Sequence, residues 1–107
     1  MCSFIFSSKE PTSKSNYLTQ KRGPDKTTLT EIGDFHFLHN LLSITGEFTP
    51  QPFIDHDNQI VAVYNGEVYN AEEYDSDGCC IIPRYLEHGF LMPRILDGEF
   101  ALCLVDY

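Results

Sequence analysis

The chain has 107 residues, 42% hydrophobic and 21% charged, which suits one small globular domain spanning residues 1–107 and leaves little for a second. Seven Lys and Arg stand against sixteen Asp and Glu, a net charge of −9. That balance argues against nucleic acid, whose affinity rests on cations meeting phosphates, and against anionic membrane surfaces. No apolar run approaches the ~20 residues that span a bilayer, and the start, MCSFIFSS, lacks the basic region of a secretory signal. Cys2, Cys79, Cys80 and Cys103 form no C-x-x-C pair and no paired Cys/His ligand spacing. The expectation is a cytoplasmic protein without metal or other cofactor.

In chain order, Cys2 to Phe6 is a short apolar run that predicts a buried strand. Residues 7–34 are polar and broken by Pro11 and Pro24, so they read as loop with at most a short helix. Phe35, Phe37 and His39 alternate as in a strand that Leu41 to Ile44 continues. Thr45 to Asp57, with Gly46, Pro50 and Pro52, reads as a connection. Gln59 to Tyr64 is the clearest strand, and Asn65-Gly66 after it is a hairpin-type dipeptide. Asn70 with Glu73 suggests a capped single helical turn. The main helix falls within Ser76–Gly89; Pro83 would break a helix interior, so the regular part is expected to begin at Pro83. Leu91 to Leu96 predicts a short turn, and Phe100 to Asp106 a last buried strand. The fold class is α+β, an antiparallel sheet with a small helical layer.

Two features carry chemistry. A small residue after Met1 permits removal of that methionine, leaving Cys2 with a thiol and a free α-amine that titrates near 8 and can serve as its base. The alternative is an ordinary Cys in an edge strand. Asn65-Gly66-Glu67-Val68-Tyr69-Asn70 follows a strand, and an Asn amide with a Gly N–H can stabilise an oxyanion. The alternative there is a plain hairpin turn. Asp77 would bind a substrate ammonium or cap a helix.

Together these segments resemble, in order and spacing, the class II glutamine amidotransferases, and most closely the glutaminase domain of asparagine synthetases. The matching segments are Cys2, Arg22-Gly23-Pro24-Asp25, His39 to Ile44 (against H-x-R-L-S-I), Gln51-Pro52, Asn65 to Asn70, Ser76-Asp77, Glu87-His88-Gly89 and Leu96 to Ala101. The resemblance implies part of an N-terminal-nucleophile αββα sandwich, here truncated, in which the Cys thiolate cleaves the side-chain amide of glutamine and releases ammonia. Carried over, Cys2 is nucleophile and base, and Asn65 and Gly66 form the oxyanion hole. Glu67, Asp77, Arg22, Ser43 and Ile44 contact the substrate.

The pattern departs from the family in stated places. The Arg that binds the substrate carboxylate corresponds to Leu41, which offers neither charge nor fork; Arg22 and Arg84 are the candidate substitutes. The segment before Arg22 lacks an apolar helical face, and with Tyr107 as the last residue the expectation is a shortened domain without its own acceptor domain. If Met1 is retained, the α-amine is not on Cys2. Two readings follow: a minimal glutaminase serving a separate ammonia-acceptor protein, or an inactive binding, regulatory or assembly module. With four strands in one sheet, Phe4, Phe37, Val61, Val63, Phe100, Leu102 and Leu104 exceed what one short helical layer hides, so a homodimer is expected.

Overall fold

Ile60–Val68 forms the longest central strand because its β-branched and aromatic residues are flanked by apolar neighbours on both faces. The structure, a computed structural model, describes residues 2–43 and 48–107. In chain order it contains β1 (Ser3–Ser7), α1 (Ser13–Asn16), a 3₁₀ turn at Thr19–Arg22, β2 (Lys26–Ile32) and β3 (Phe35–Leu41). There follow β4 (Phe53–Asp55), β5 (Ile60–Val68), a 3₁₀ turn at Asp77–Cys80, α2 (Ile81–His88), a 3₁₀ turn at Gly89–Leu91, α3 (Met92–Ile95) and β6 (Gly98–Asp106).

The strands make two antiparallel sheets, ordered β1-β3-β2 and β4-β5-β6. The α+β expectation holds, whereas the single four-stranded sheet does not. Two strands were missed. β2 lies in the stretch read as loop, where Thr27, Thr28 and Thr30 form a strand without apolar alternation because one of its faces is largely solvated. β4 lies in the stretch read as a connection, as a three-residue edge strand just after Pro52.

Register sorts the side chains. Phe37, Val61 and Val63 are buried between the sheets, with Phe4, Ile32, Phe35, Cys103 and Val105 packed around them. Ile60, Ala62 and Tyr64 point the other way, where Phe100, Leu102 and Leu104 join Ile81, Ile82 and Met92 of the helical layer. The apolar residues that suggested an uncovered face therefore belong to two faces, and the second sheet of the same chain covers one of them. The outer face of β1-β3-β2 carries α1 and the Thr19–Arg22 turn, joined by hydrogen bonds from Ser3 Oγ to the Thr19 carbonyl (2.7 Å) and Asn40 Nδ2 to Asn16 Oδ1 (2.8 Å). The layers run helix, sheet, sheet, helix, with the first one reduced.

Two local readings are also corrected. The helix begins at Ile81, so Pro83 is its third residue; N–H groups in a first turn have no intrahelical acceptor, and proline costs no bond there. No helix forms at Asn70–Glu73. Asn70 instead accepts the Asp97 N–H at 2.9 Å and donates to the Ile95 carbonyl at 2.8 Å, fastening the loop to the entry of β6. Among the described residues, no helix is long and apolar enough to cross a membrane.

Candidate active site

The RGPD segment builds one wall of a cleft by clamping the end of β3. A Cβ on Gly23 would come within 2.1 Å of the Asn40 carbonyl oxygen, so only glycine permits this approach. Asp25 then donates its N–H to the Leu41 carbonyl (3.0 Å), and its Oδ2 accepts the Ser43 N–H (2.7 Å). With the strand end held, the Leu42 N–H donates to Cys2 Sγ at 3.3 Å, and the Leu42 carbonyl lies 3.7 Å from the thiol. Cys2 is thus fixed by β3 rather than loose at the chain start, and it remains partly exposed.

The second wall is the far end of β5. Asn65-Gly66 is not a hairpin turn: both residues pair within the sheet, Asn65 with Ala101 and Gly66 with Phe100. Gly66 adopts φ 144, and a Cβ there would meet the Glu99 carbonyl oxygen at 2.0 Å, which makes the position glycine-only. The Gln51 side chain completes the strand by accepting the Tyr64 N–H at 2.7 Å, the group left over once β4 ends its pairing at Phe53. Gln51 is thereby buried.

Asp77 closes the corner. Its Oδ2 accepts the Tyr64 hydroxyl (2.6 Å) and the Val68 N–H (2.7 Å), and Oδ1 accepts the Gly78 N–H (3.0 Å). It ties β5 to the 3₁₀ turn more than it caps a helix. Burial, then the bond and charge of Asp77, push the Tyr64 phenol above its ordinary range, so it stays a donor at any working pH.

Cys2, Ser43, Asn65, Gly66, Glu67 and Asp77 all line one cleft of about 630 Å³, along with Leu41, Gln51, Tyr64 and Glu99. Asn65 Oδ1 is buried there without a hydrogen-bond partner among the described residues. Glu67 and Glu99 face each other across β5 and β6. Such a like-charge pair is unfavourable unless a cation joins it. By contrast, burial raises the thiol pKa of Cys80 and of Cys103, which suits structural rather than reactive cysteines.

The family model for the glutamine amidotransferase domain matches residues 1–107. The chain belongs to that family. Its relatives include an asparagine synthetase [glutamine-hydrolyzing] 1 of Lotus japonicus, 35% identical over 79% of this chain and 17% of that protein. The corresponding Saccharomyces cerevisiae protein is 36% identical over the same 79% and 17%, and an Asparagus officinalis asparagine synthetase is 36% identical over 79% and 16%. The chain therefore spans about a sixth of the length of these curated relatives.

Within this amidotransferase domain, two of the expected residues, Arg22 and Arg84, do not line the cleft. Arg22 ends the Thr19–Arg22 turn, is exposed, and is not among the residues lining it. Ile44 and Met1 lie outside the described residues. Arg84, the other candidate for the missing Arg, is bound to Glu73 (3.0 Å) and to the Asn70 carbonyl, and does not line the cleft. The sequence reading missed Gln51, Tyr64 and Glu99 as cleft residues. Only the β5–β6 register, counted back from two long strands, would have set Glu99 beside Glu67.

Proposed function

We propose that this domain is a class II glutaminase of the N-terminal-nucleophile type. The observation that carries the reading is the convergence of Cys2, Asn65, Gly66, Glu67 and Asp77, distant in sequence, on one cleft. Once Met1 is removed, the Cys2 α-amine takes the thiol proton, directly or through water, and the thiolate attacks the carboxamide carbon of glutamine. The Asn65 amide and the Gly66 N–H hold the oxyanion. The C–N bond breaks as the nitrogen accepts a proton, and ammonia leaves for an acceptor such as a separate partner protein. Water then hydrolyses the γ-glutamyl thioester, releasing glutamate and restoring the thiol. Glu67 and Asp77 take the substrate ammonium, with Ser43 at the opposite wall.

A glutamine analogue bearing a diazo-ketone tests this directly. On protein shown by mass to lack Met1, one adduct is expected, and Cys2→Ser abolishes it. Absence of any adduct on such protein removes the glutaminase reading. The second reading, an inactive amidotransferase-like binding, regulatory or assembly module, is favoured by one feature: no Lys, Arg or His lines the described cleft, where Leu41 stands instead.

Two coarser parts belong to the same proposal. All four cysteines are free, as suits a reducing cytoplasm. A homodimer would now use the outer face of β1-β3-β2, where Leu29 is 43% exposed and the docked segment leaves Tyr17 and Leu18 exposed. A constant monomer mass in light scattering across concentrations would remove it.

A further inference from the structure

Glutamine carries a carboxylate, yet the cleft is lined by Glu67, Asp77 and Glu99 with no cation among its described residues. Register supplies one just beyond the lining. Lys26 opens β2 directly across from Leu41 of β3, and partners in an antiparallel pair share a face. That face also carries Phe37 and His39, so it looks toward the second sheet, and at the Leu41 end it opens into the cleft. One step past the Ser3–Asn40 pair, Cys2 flanks Leu41 on the other side. Nucleophile, Leu41 and Lys26 thus stand abreast, with Cys2 and Lys26 two strand spacings apart, roughly 10 Å.

The Lys26 ammonium is exposed and carries no ion pair among the described residues. It hovers 5.6 Å from the ring centroid of Phe48, next in sequence to the cleft residue Thr49. Its four-carbon stem can swing inward across Leu41. Lys21 instead lies over Tyr17, and Arg84 is held by Glu73.

We propose that Lys26 is the carboxylate anchor of this site, displaced by one strand from β3 to β2. The inference rests on the glutaminase reading above. A glutamine with its amide at Cys2 lies across Leu41, its ammonium toward Glu67 and Asp77, and its carboxylate at Lys26. A lysine is a flexible point charge rather than a planar fork, so the anchor gives charge with little orientation. Leu41 then serves as an apolar floor under the ligand methylenes.

Calorimetry on protein lacking Met1, in a Cys2→Ala background so that glutamine is bound and not consumed, tests this with two ligands, glutamine and 4-aminobutanamide, which keeps the amide and ammonium but lacks the carboxylate. This parent protein is expected to prefer glutamine. Lys26→Gln should weaken glutamine about tenfold, the worth of a charge-assisted contact, and leave 4-aminobutanamide unchanged. Lys26→Arg should retain glutamine binding, and Leu41→Arg added to Lys26→Gln should restore it. Equal glutamine affinity in the parent and in Lys26→Gln overturns the anchor alone. Equal weakening of both ligands overturns it too, since the loss would then be structural. If the parent binds neither ligand, the glutaminase reading falls and the anchor with it.

Discussion

His39 and Asn40 are neighbours on β3, and both are completely buried, yet their polar atoms meet opposite fates. Asn40 faces outward from the first sheet. Its amide nitrogen donates to Ser3 Oγ (3.0 Å) and Asn16 Oδ1 (2.8 Å), and its oxygen accepts from Thr27 Oγ1 (2.8 Å) and Asn16 Nδ2 (3.2 Å). His39 faces the second sheet, and neither ring nitrogen has a partner among the described residues. One face of the strand is closed by hydrogen bonds, the other by apolar packing into which an imidazole has been set. The difference explains how the first layer is held. Ser13–Arg22 docks through Asn16 and Thr19 rather than through an apolar stripe, and Tyr17 and Leu18 are left in solvent.

The largest effect is expected from cutting the satisfied side. Asn40→Leu keeps the branched shape of the side chain but leaves the Asn16 amide nitrogen and the Thr27 hydroxyl without their Asn40 partner, while Ser3 Oγ keeps only its bond to the Thr19 carbonyl. Buried groups left without partners cost ~1–3 kcal/mol each, and relaxation toward solvent at Thr27 limits the sum, so a loss of about 3–4 kcal/mol is expected. Urea unfolding measures it through the midpoint at constant slope. A loss below about 1 kcal/mol would mean that the network fastens nothing.

This polar docking also marks where the sequence could be read and where it could not. β1, β3, β5 and β6 were legible because each carries a run of apolar or β-branched residues, and the stretch Ser76–Gly89 announced its helix. Residues 7–34 hid β2 and the docked turn because their fastening is polar and long-range: nothing local in Asn16 or Thr27 reveals a partner at position 40. The candidate site was legible through motif order, which named Cys2, Asn65, Gly66 and Asp77, four residues that line one cleft. The internal job of Asp77, holding Tyr64 and Val68, was not, since it depends on where β5 ends. Asn65-Gly66 misled for a related reason: the residues of a tight turn are also those of a close strand crossing.

The unsatisfied side gives the next effect, and it depends on pH. Burial lowers the His39 pKa from 6.5 to about 4. Above pH 6.5 the ring is neutral folded and unfolded, and stability is whole. As pH falls below 6.5 the unfolded chain binds a proton that the native state refuses until about 4. Stability is therefore lost on acidification across that window, by about 3 kcal/mol. Asp55 and Glu73, whose carboxyls are held low by hydrogen bonds to Asn58 and by Glu73's own backbone and Arg84, lose their contribution only toward the acid end. His39→Leu should flatten the upper part of the profile and raise stability at neutral pH, because it removes two polar atoms that bond to nothing. A variant as steep as wild type between pH 6.5 and 5 would assign the titration to another group.

The smallest effect concerns the same face two residues on. Positions 39 and 41 share it, but where His39 is enclosed, Leu41 lines the cleft. A charge that could not be tolerated at 39 can be tolerated at 41, because it can reach solvent and the carboxylates Glu67, Asp77 and Glu99. Leu41→Arg should therefore fold, while the matching His39→Arg should not. In this background the new guanidinium offers glutamine a bidentate contact beside the single charge of Lys26. Part of the electrostatic gain is already taken by that lysine, and part of the new charge is spent on the cleft carboxylates. The expected tightening is about tenfold, or ~1.4 kcal/mol, well short of what a fork would contribute in an otherwise neutral site. Calorimetry with glutamine in the Cys2→Ala background measures it. A gain of a thousandfold would mean that Lys26 contributes nothing to wild-type binding. No gain would mean that Glu67 and its neighbours capture the new arginine, so that the negative wall rather than the missing fork limits the affinity of this site.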